Sequence, residues 1–521
     1  MRGSASQRVW VALLACLGCL LCLHAFLQIQ EQQQQQREVQ QHLSSPASNS
    51  WTRAAPHADT KLPVPPLSAR GLTQGYTSSS PVSSPVNGPV VSSKDTKHKH
   101  HLHKTTPFKP DHNGSIYSMC PQLHKPTIRP NKDGYNTFQP VLEGKSWVYS
   151  AYYDARQPKH VVKVIGIADV RQDSKPHFCR IWFNNTPEPD VRAVIEDIVP
   201  ETHDKRFAAF IYTCHLRRNV APYAISLIRD KCHNANVLPV VNNYKKNKSH
   251  SYQYQFTMCG PILQNNFNDK NRLVEMFETN GLFGANHFVM YNLTSGADIQ
   301  AYLRNYIDEG LLDLLPWRLP EVLVDSPNHA GGIHYFAQLA SLNDCLYRHL
   351  HKSKFIAYLD IDELLVPESF SNWSAVMSSL QDKPNHPKIC SAVFRNTFFH
   401  MDWDPPITLK GKEAETAKQY GIASLVKTKR EQKIWEHAQR SKYIADSNRL
   451  EMAGIHVPWK CIKERYNYDV SIKVAKLHHY RSFHPDIQAI PANAVQDTSI
   501  FRFKKAILQR VAKRHRKVLG L

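Results

Sequence analysis

Two carboxylates one residue apart, Asp360 and Asp362 in Tyr358-Leu-Asp-Ile-Asp-Glu-Leu-Leu-Val-Pro367, carry the most legible chemistry in this chain. The apolar run from Phe355 to Leu359 before them reads as a short buried strand. On extended backbone, residues i and i+2 project to one side, so the two acids converge and Ile361 turns into the core. Paired oxygen ligands at the carboxyl end of an α/β strand suit a hard divalent cation held against phosphate oxygens. An EF-hand calcium loop is excluded: Leu364 stands at a ligand position and Leu365 where glycine is required.

The elements around this pair must place it at a strand end. From Tyr252 onward strands and helices alternate. Phe256-Thr-Met-Cys-Gly-Pro261 is a strand, Leu273, Met276 and Phe277 mark a helical face, and Phe288-Val-Met-Tyr291 is a second strand. Ser295 is placed to cap a helix carrying Ile299, Tyr302, Leu303 and Tyr306, which Gly310 closes before a strand at Leu311–Leu315. A helix around His334 to Leu350 leads into the Phe355 strand. This alternation predicts a mostly parallel α/β sheet with crossover helices. Residues from about Ser146 to Asn243 are instead β-branched and aromatic, broken by Pro and Asn, and predict a smaller β-rich subdomain.

The amino-terminal quarter is different. Arg2 and Arg8 precede an uncharged, Leu-rich stretch over 9–27. At about 1.5 Å per residue it spans roughly 28 Å, which predicts a signal anchor with a cytoplasmic tail at 1–8 rather than a cleaved signal peptide. Residues 28–118 are rich in Gln, Ser, Pro, His and Lys without an apolar period, and are expected to form a disordered stem. The His cluster at 98–103 falls within that stem. The expected divisions beyond it are a β-rich subdomain at 119–250, a catalytic domain at 251–485 and a basic extension at 486–521.

Three of the 11 cysteines lie in the apolar stretch, leaving eight in the head, an even number that fits disulfides in an oxidising compartment. The head has no C-x-x-C pair that would suggest structural zinc. Sequons at Asn113, Asn184, Asn247, Asn292 and Asn372 agree with a glycosylated lumenal protein. The formal net charge is +21. Without a zinc finger, RNP-like or helix-turn-helix signal, this charge points away from nucleic acid and toward phosphates or acidic glycans.

Together with the pair at Asp360 and Asp362, further stretches occur in a recognisable order. They include Ser150-Ala-Tyr-Tyr-Asp-Ala-Arg156, Cys259-Gly-Pro261, Pro316-Trp317, His334-Tyr-Phe-Ala-Gln338, Asn343-Asp-Cys345, Gly454-Ile-His456 and His479-Tyr-Arg481. The set, from about Ser146 to Arg481, resembles glycosyltransferase family 92. Ala337 departs from it where glycine is expected, and the basic tail from Arg502 to Lys517 lies outside it. The resemblance implies a Golgi type II membrane protein with a GT-A-like, Rossmann-type domain. Its implied activity is β1,4 transfer of galactose from UDP-galactose, with inversion, to galactose or core fucose of an N-glycan or other glycoprotein or glycolipid acceptor.

On that reading Asp360 and Asp362 hold Mn²⁺ on the UDP diphosphate, and His456 or His479 completes the shell. His478 faces the other way if that segment is extended. Arg395, with Asn396, is expected to touch donor or acceptor, and Arg481 to pair with the diphosphate. The general base is expected among Glu363, Asp402, Asp404 and Asp446, with the Asp402/Asp404 loop favoured and Trp403 placed to stack on a sugar. The alternatives are transfer of another UDP-sugar and a non-catalytic lectin of the same fold.

Overall fold

The computed structural model describes residues 120, 123–128, 136–232, 236–242, 251–324, 331–380, 388–403, 408–482 and 492–520. The expected anchor and the expected stem lie outside them. Among the described residues no helix is long and apolar enough to cross a membrane.

The first half of the head is a pair of antiparallel sheets. One contains β1 (Gln139–Leu142), β2 (Ser146–Asp154), β3 (Val161–Asp169), β6 (Ile195–Ile198) and β7 (Phe207–His215) in the order β1-β2-β3-β7-β6. The other contains β4 (Phe178–Trp182), β5 (Asp190–Ala193), β8 (Ala224–Ile228) and β9 (Leu238–Pro239) in the order β5-β4-β8-β9. Val148, Val162, Val164, Ile181, Phe210 and Leu227 form a shared core between them. The Cys179–Cys214 disulfide joins β4 to β7 across it, and Cys120–Cys232 ties down the entering chain.

The second half carries a seven-stranded mixed sheet. Its first strands are β10 (Tyr254–Leu263), β11 (His287–Asn292), β12 (Leu312–Pro316) and β13 (Ser353–Tyr358), all mutually parallel. After the short β14 (Glu363–Pro367) come β15 (Ile389–Phe394), β16 (Asn396–His400), β17 (Lys429–Arg430) and β18 (Lys442–Asp446). A ribbon of β19 (Leu450–Met452) and β20 (Lys460–Cys461) precedes β21 (Tyr466–Val470), β22 (Ala475–Arg481) and β23 (Val495–Gln496). The large sheet runs β12-β11-β10-β13-β18-β15-β21, with β18 antiparallel to both neighbours. The chain steps outward from β10 to β11 and β12, then returns to the other flank of β10 as β13. That reversal is a topological switch point, where α/β sheets open a crevice at the strands' carboxyl ends.

Seven helices are described: α1 (Lys270–Phe283), α2 (Gln300–Asp308), α3 (Gln338–His349), α4 (Trp373–Ser379), α5 (Gly411–Gln419), α6 (Ala423–Val426) and α7 (Lys504–Leu519). Asp269 caps α1 by accepting from the Arg272 N–H. Ser295 does not cap α2, which starts through a 3-10 turn at Ala297–Ile299; its hydroxyl instead accepts from the Gln300 side chain. Gly310 closes α2 at φ 69° as expected.

Three features depart from the sequence reading. The apolar segment Ala392 to Phe398, which reads in sequence as one strand ahead of the Asp402/Asp404 loop, is two strands broken at Arg395, so that β15 joins the large sheet and β16 a small one ordered β14-β22-β16-β17-β23. The basic C-terminal segment is part of the core: Ile507 and Val511 of α7 are buried, and Arg514 and Arg510 pair with Glu278 of α1. Before α3, Tyr335, Phe336 and Ala337 all adopt left-handed backbone, with Ala337 at φ 65°. Glycine is favoured there, and alanine costs roughly 1 kcal/mol more.

The two halves meet at Asp344 in α3, which is fully buried. It accepts from Ser150 Oγ and Tyr152 Oη, each at 2.5 Å, and from Tyr291 Oη at 2.7 Å, and it pairs with Arg348 at 3.0 Å. The Ser150–Arg156 and Asn343–Cys345 stretches thus join the β-rich half to the sheet. Asn343 bridges Leu339 and Ala453, and Cys345 is disulfide-bonded to Cys259 of β10. With Cys390–Cys461 this pairs all eight head cysteines.

Candidate active site

The chain leaves β13 at Tyr358 and enters β14 at Glu363, so Asp360 and Asp362 occupy the intervening turn at the carboxyl end of the sheet. The extended backbone that would make the two carboxylates converge is absent there, and they are drawn to opposite partners. Asp360 Oδ2 accepts from Lys442 Nζ at 2.6 Å, and its Oδ1 accepts from Gln338 Nε2 at 3.1 Å. Asp362 Oδ2 faces His479 Nε2 at 3.3 Å and Arg272 Nη1 at 4.0 Å.

Glu363 sits beneath the turn, 1% exposed. Its Oε2 accepts the Asp360 N–H at 2.7 Å and lies 3.5 Å from Lys442 Nζ; its Oε1 lies 3.3 Å from His479 Nδ1. The register explains this convergence. In the small sheet His479 of β22 lies opposite Glu363 of β14 on one side and Phe398 of β16 on the other. Alternation along β22 puts His478 on the far face, near Glu368 and against the Phe399 ring, as expected.

The electrostatics follow from burial and these partners. Burial opposes ionisation of Asp362, but the His479 contact and the Arg272 charge outweigh it and bring the carboxyl down to about 2. Burial pushes Glu363 up to about 7, with the Asp360 and Asp362 charges adding and Lys442 opposing. Burial disfavours the Lys442 ammonium, yet Asp360 and Glu363 hold it well above its ordinary value. His456 has Nδ1 3.2 Å from the Ser441 carbonyl; burial and nearby Lys442 hold it down to about 3.

The other sequence candidates separate. Asp446 pairs with Phe355 at the opposite end of β13 and is bound to Arg449 at 3.1 Å, which removes it from the site. Arg395, at the break between β15 and β16, is held by Asp469 at 2.5 Å and Glu436 at 3.2 Å, a structural pairing rather than a free donor contact. Arg481 is exposed two residues beyond His479, and its charge lowers the pKa of half-buried Arg440 after burial itself. Asp402 follows β16 beyond His400, which pairs with Arg481. Trp403 is 2% exposed and stacked on His400 at 4.1 Å, so its face is closed to a sugar. Asp404 lies outside the described residues.

Sequence reasoning missed Lys442, Gln338 and Arg272. Gln338 belonged to a noted stretch without being assigned, and Lys442 had one signal, a cation heading the apolar run Tyr443-Ile-Ala445. Trp435 was missed too. It is half-buried, edge-on to Phe398 at 5.8 Å and covered by Arg440 at 4.8 Å.

Asp362 and His479 fit a divalent ion. A carboxylate oxygen and an imidazole nitrogen stand 3.3 Å apart on side chains 19% and 11% exposed, leaving other positions for phosphate and water. Asp360 joins such a set only by giving up Lys442.

Residues 254–517 match the model of glycosyltransferase family 92. The chain belongs to that family. The match begins at β10 and ends within α7, so the C-terminal helix falls inside family 92 and the β-rich half outside the matched region. Over 236 residues the chain is 26% identical to beta-1,4-galactosyltransferase galt-1 of Caenorhabditis elegans, covering 43% of this chain and 52% of that one. It is 24% identical over 186 residues to glycosyltransferase family 92 protein F13G3.3 of the same nematode, covering 35% and 34%. The chain thus matches about half the length of the first relative and a third of the second. Among solved structures, GalNAc-T7 with UDP, GalNAc and Mn²⁺ is 11% identical, with 46% of this chain and 45% of that one covered at a TM-score of 0.26. Glucosyl-3-phosphoglycerate synthase from Mycobacterium tuberculosis is 11% identical, with 51% and 80% covered at 0.22. Scores this low leave the fold to the chain's own strand order.

Proposed function

We propose that this family 92 member is a Golgi type II galactosyltransferase of GT-A type. It moves galactose from UDP-galactose to a terminal galactose or core fucose of a glycan, with inversion and β1,4 linkage. The carrying observation is the turn at the sheet's switch point, with Asp362 against His479 and Asp360 against Lys442. Identity to a nematode β-1,4-galactosyltransferase supports the choice of donor.

Asp362 and His479, with Asp360, hold the divalent ion, Mn²⁺ on this reading. When bound, such an ion offsets charge on the departing diphosphate. Arg272, 4.0 Å from Asp362, supplies positive charge beside it, and Arg481, two residues beyond His479, is assigned to the diphosphate. Gln338 and Lys442 set the position of Asp360, and Glu363 braces the turn. Buried as it is, Glu363 acts as a positioning residue. In the transfer the sugar's anomeric C–O bond to UDP breaks as the acceptor oxygen bonds to the opposite face. The acceptor's proton passes to a carboxylate, which we assign to the 402–404 loop.

The test uses the full chain with UDP-galactose, Mn²⁺ and glycans ending in galactose, core fucose or N-acetylglucosamine, read by mass shift. A hexose gain on one acceptor, abolished by Asp362→Ala and by chelator, supports the reading. Transfer from a different UDP-sugar alone overturns the donor, and no transfer from any donor by folded protein overturns the enzyme.

A further inference from the structure

The opposite edge of the same sheet holds a second cluster. His287 opens β11, Asp313 is the second residue of β12, and His349 ends α3. All three sit at the amino-terminal side of the parallel strands, while the Asp360–Asp362 turn sits at the carboxyl side. A six-residue strand such as β13 separates the two edges by roughly 20 Å.

His287 and His349 are 2% and 0% exposed. Each directs Nε2 at the same oxygen, Asp313 Oδ2, from 3.4 Å. Each contact sits at the long end of hydrogen-bonding range, and among the described residues neither Nε2 has a better partner. Two buried imidazoles sharing one carboxylate oxygen at that range, with His287 Nδ1 unpartnered as well, are poorly satisfied for a protein interior. The spacing has a different meaning around a metal. In a tetrahedral Zn²⁺ site with bonds of about 2.05 Å, neighbouring ligand atoms stand roughly 3.3 Å apart.

The surroundings orient the ligands. His349 Nδ1 lies 3.3 Å from the Cys345 carbonyl oxygen; as the donor there it leaves the Nε2 lone pair toward Asp313. Tyr254 stacks on the His287 ring at 4.1 Å and 8°, fixing its plane. Among the described residues, this is the one group of three His, Cys, Asp or Glu side chains whose ligand atoms all lie within 4.8 Å of one another. Asp313 is 41% exposed at its side chain, so a fourth position opens to solvent.

We infer that His287, Asp313 and His349 form a Zn²⁺-class site, distinct from the Asp360–Asp362 turn, that clips the first residues of β11 and β12 to the end of α3. Two imidazoles and one carboxylate favour zinc over the harder Mn²⁺. No part of the transfer reading enters this assignment.

The full chain, stripped with chelator and dialysed against Zn²⁺, is assayed for bound metal by elemental analysis and for melting temperature. One Zn²⁺ per chain is expected in the native protein and in Asp362→Ala, with affinity at least about 10-fold weaker in Asp313→Asn and His287→Gln. Zn²⁺ is expected to raise the melting temperature of the native chain and not that of Asp313→Asn. Co²⁺ is expected to give the intense visible absorption of a tetrahedral site, unchanged by excess Mn²⁺. Because Asp313 is partly exposed, its Asn variant keeps the fold if His287→Gln does not. Equal zinc in Asp313→Asn and native protein, zinc lost in Asp362→Ala, or no zinc bound at all each overturns the assignment.

Discussion

Lys442 Nζ lies 2.6 Å from Asp360 Oδ2 and 3.5 Å from Glu363 Oε2, an ammonium lodged between two carboxylates of the turn. The lysine side chain is 3% exposed and Glu363 is 1% exposed. The cation therefore neutralises charge that burial would otherwise expel, and it fixes Asp360 before any ligand arrives. It also competes for the oxygen that a metal would use.

Removing that cation strands the acids. Lys442→Met is expected to destabilise the protein by about 3 kcal/mol, the low end for breaking a buried pair, because Asp360 is partly wet and Glu363 can take up a proton. Chemical denaturation at pH 7 and pH 5 checks this. The loss should be smaller at pH 5, where protonated Glu363 no longer needs a partner.

Glu363 gives a pH dependence of definite sign. Its folded pKa of about 7 lies above its ordinary 4.5. Below about pH 4.5 the carboxyl is protonated in both states and burial carries no charge penalty. As pH rises from 4.5 to 7 the folded chain keeps a proton that the unfolded chain has lost, so stability falls by up to about 1.4 kcal/mol per unit. Glu363→Gln should flatten this window in metal-free protein. The Asp362 contribution, with its pKa near 2, is lost only as pH falls below about 4 and should survive that substitution. An unchanged stability–pH slope between pH 4.5 and 7 in Glu363→Gln would sink the assignment.

The two histidines that the sequence offers as metal ligands should behave differently. His479 faces Asp362 at 3.3 Å, whereas His456 lies beside Lys442 with Nδ1 at the Ser441 carbonyl. Mn²⁺-dependent UDP binding, measured by calorimetry, should weaken at least about 10-fold in His479→Ala and remain within about 2-fold in His456→Ala. A larger loss in His456→Ala would move the ligand set to the Lys442 side of the turn.

Much of this arrangement was legible because it is local. The Asp360–Asp362 pair at a strand end, the strand–helix alternation from β10 to β13, and the opposite facing of His478 and His479 all follow from short-range periodicity. What failed depended on long-range pairing. Nothing near Lys442 says that β18 runs antiparallel beside β13, the register that brings Lys442 to Asp360 and carries Asp446 to the far end. Trp403 reads as an exposed aromatic until His400 stacks on it. Arg395 reads as a site cation, yet its partner Asp469 is 74 residues away. The charged face of α7 reads as a solvated tail, although Glu278 on α1 receives it.

Asp344 makes the final prediction, which concerns assembly rather than chemistry. It is the one carboxylate that Ser150, Tyr152, Tyr291 and Arg348 share, and Arg348 is buried with it. The Arg348 charge raises the cost of losing its partner, and the three hydroxyls lose their acceptor at the same time. Asp344→Ala should therefore destabilise the protein by about 3–5 kcal/mol. Asp344→Asn keeps an acceptor and the side chain's shape but not the charge, and should fall between. Because Ser150 and Tyr152 lie in β2, the loss should appear as early protease cleavage between the β-rich half and the sheet. Limited proteolysis that cuts native and Asp344→Ala proteins at the same sites and rates would show that the two halves do not depend on this residue.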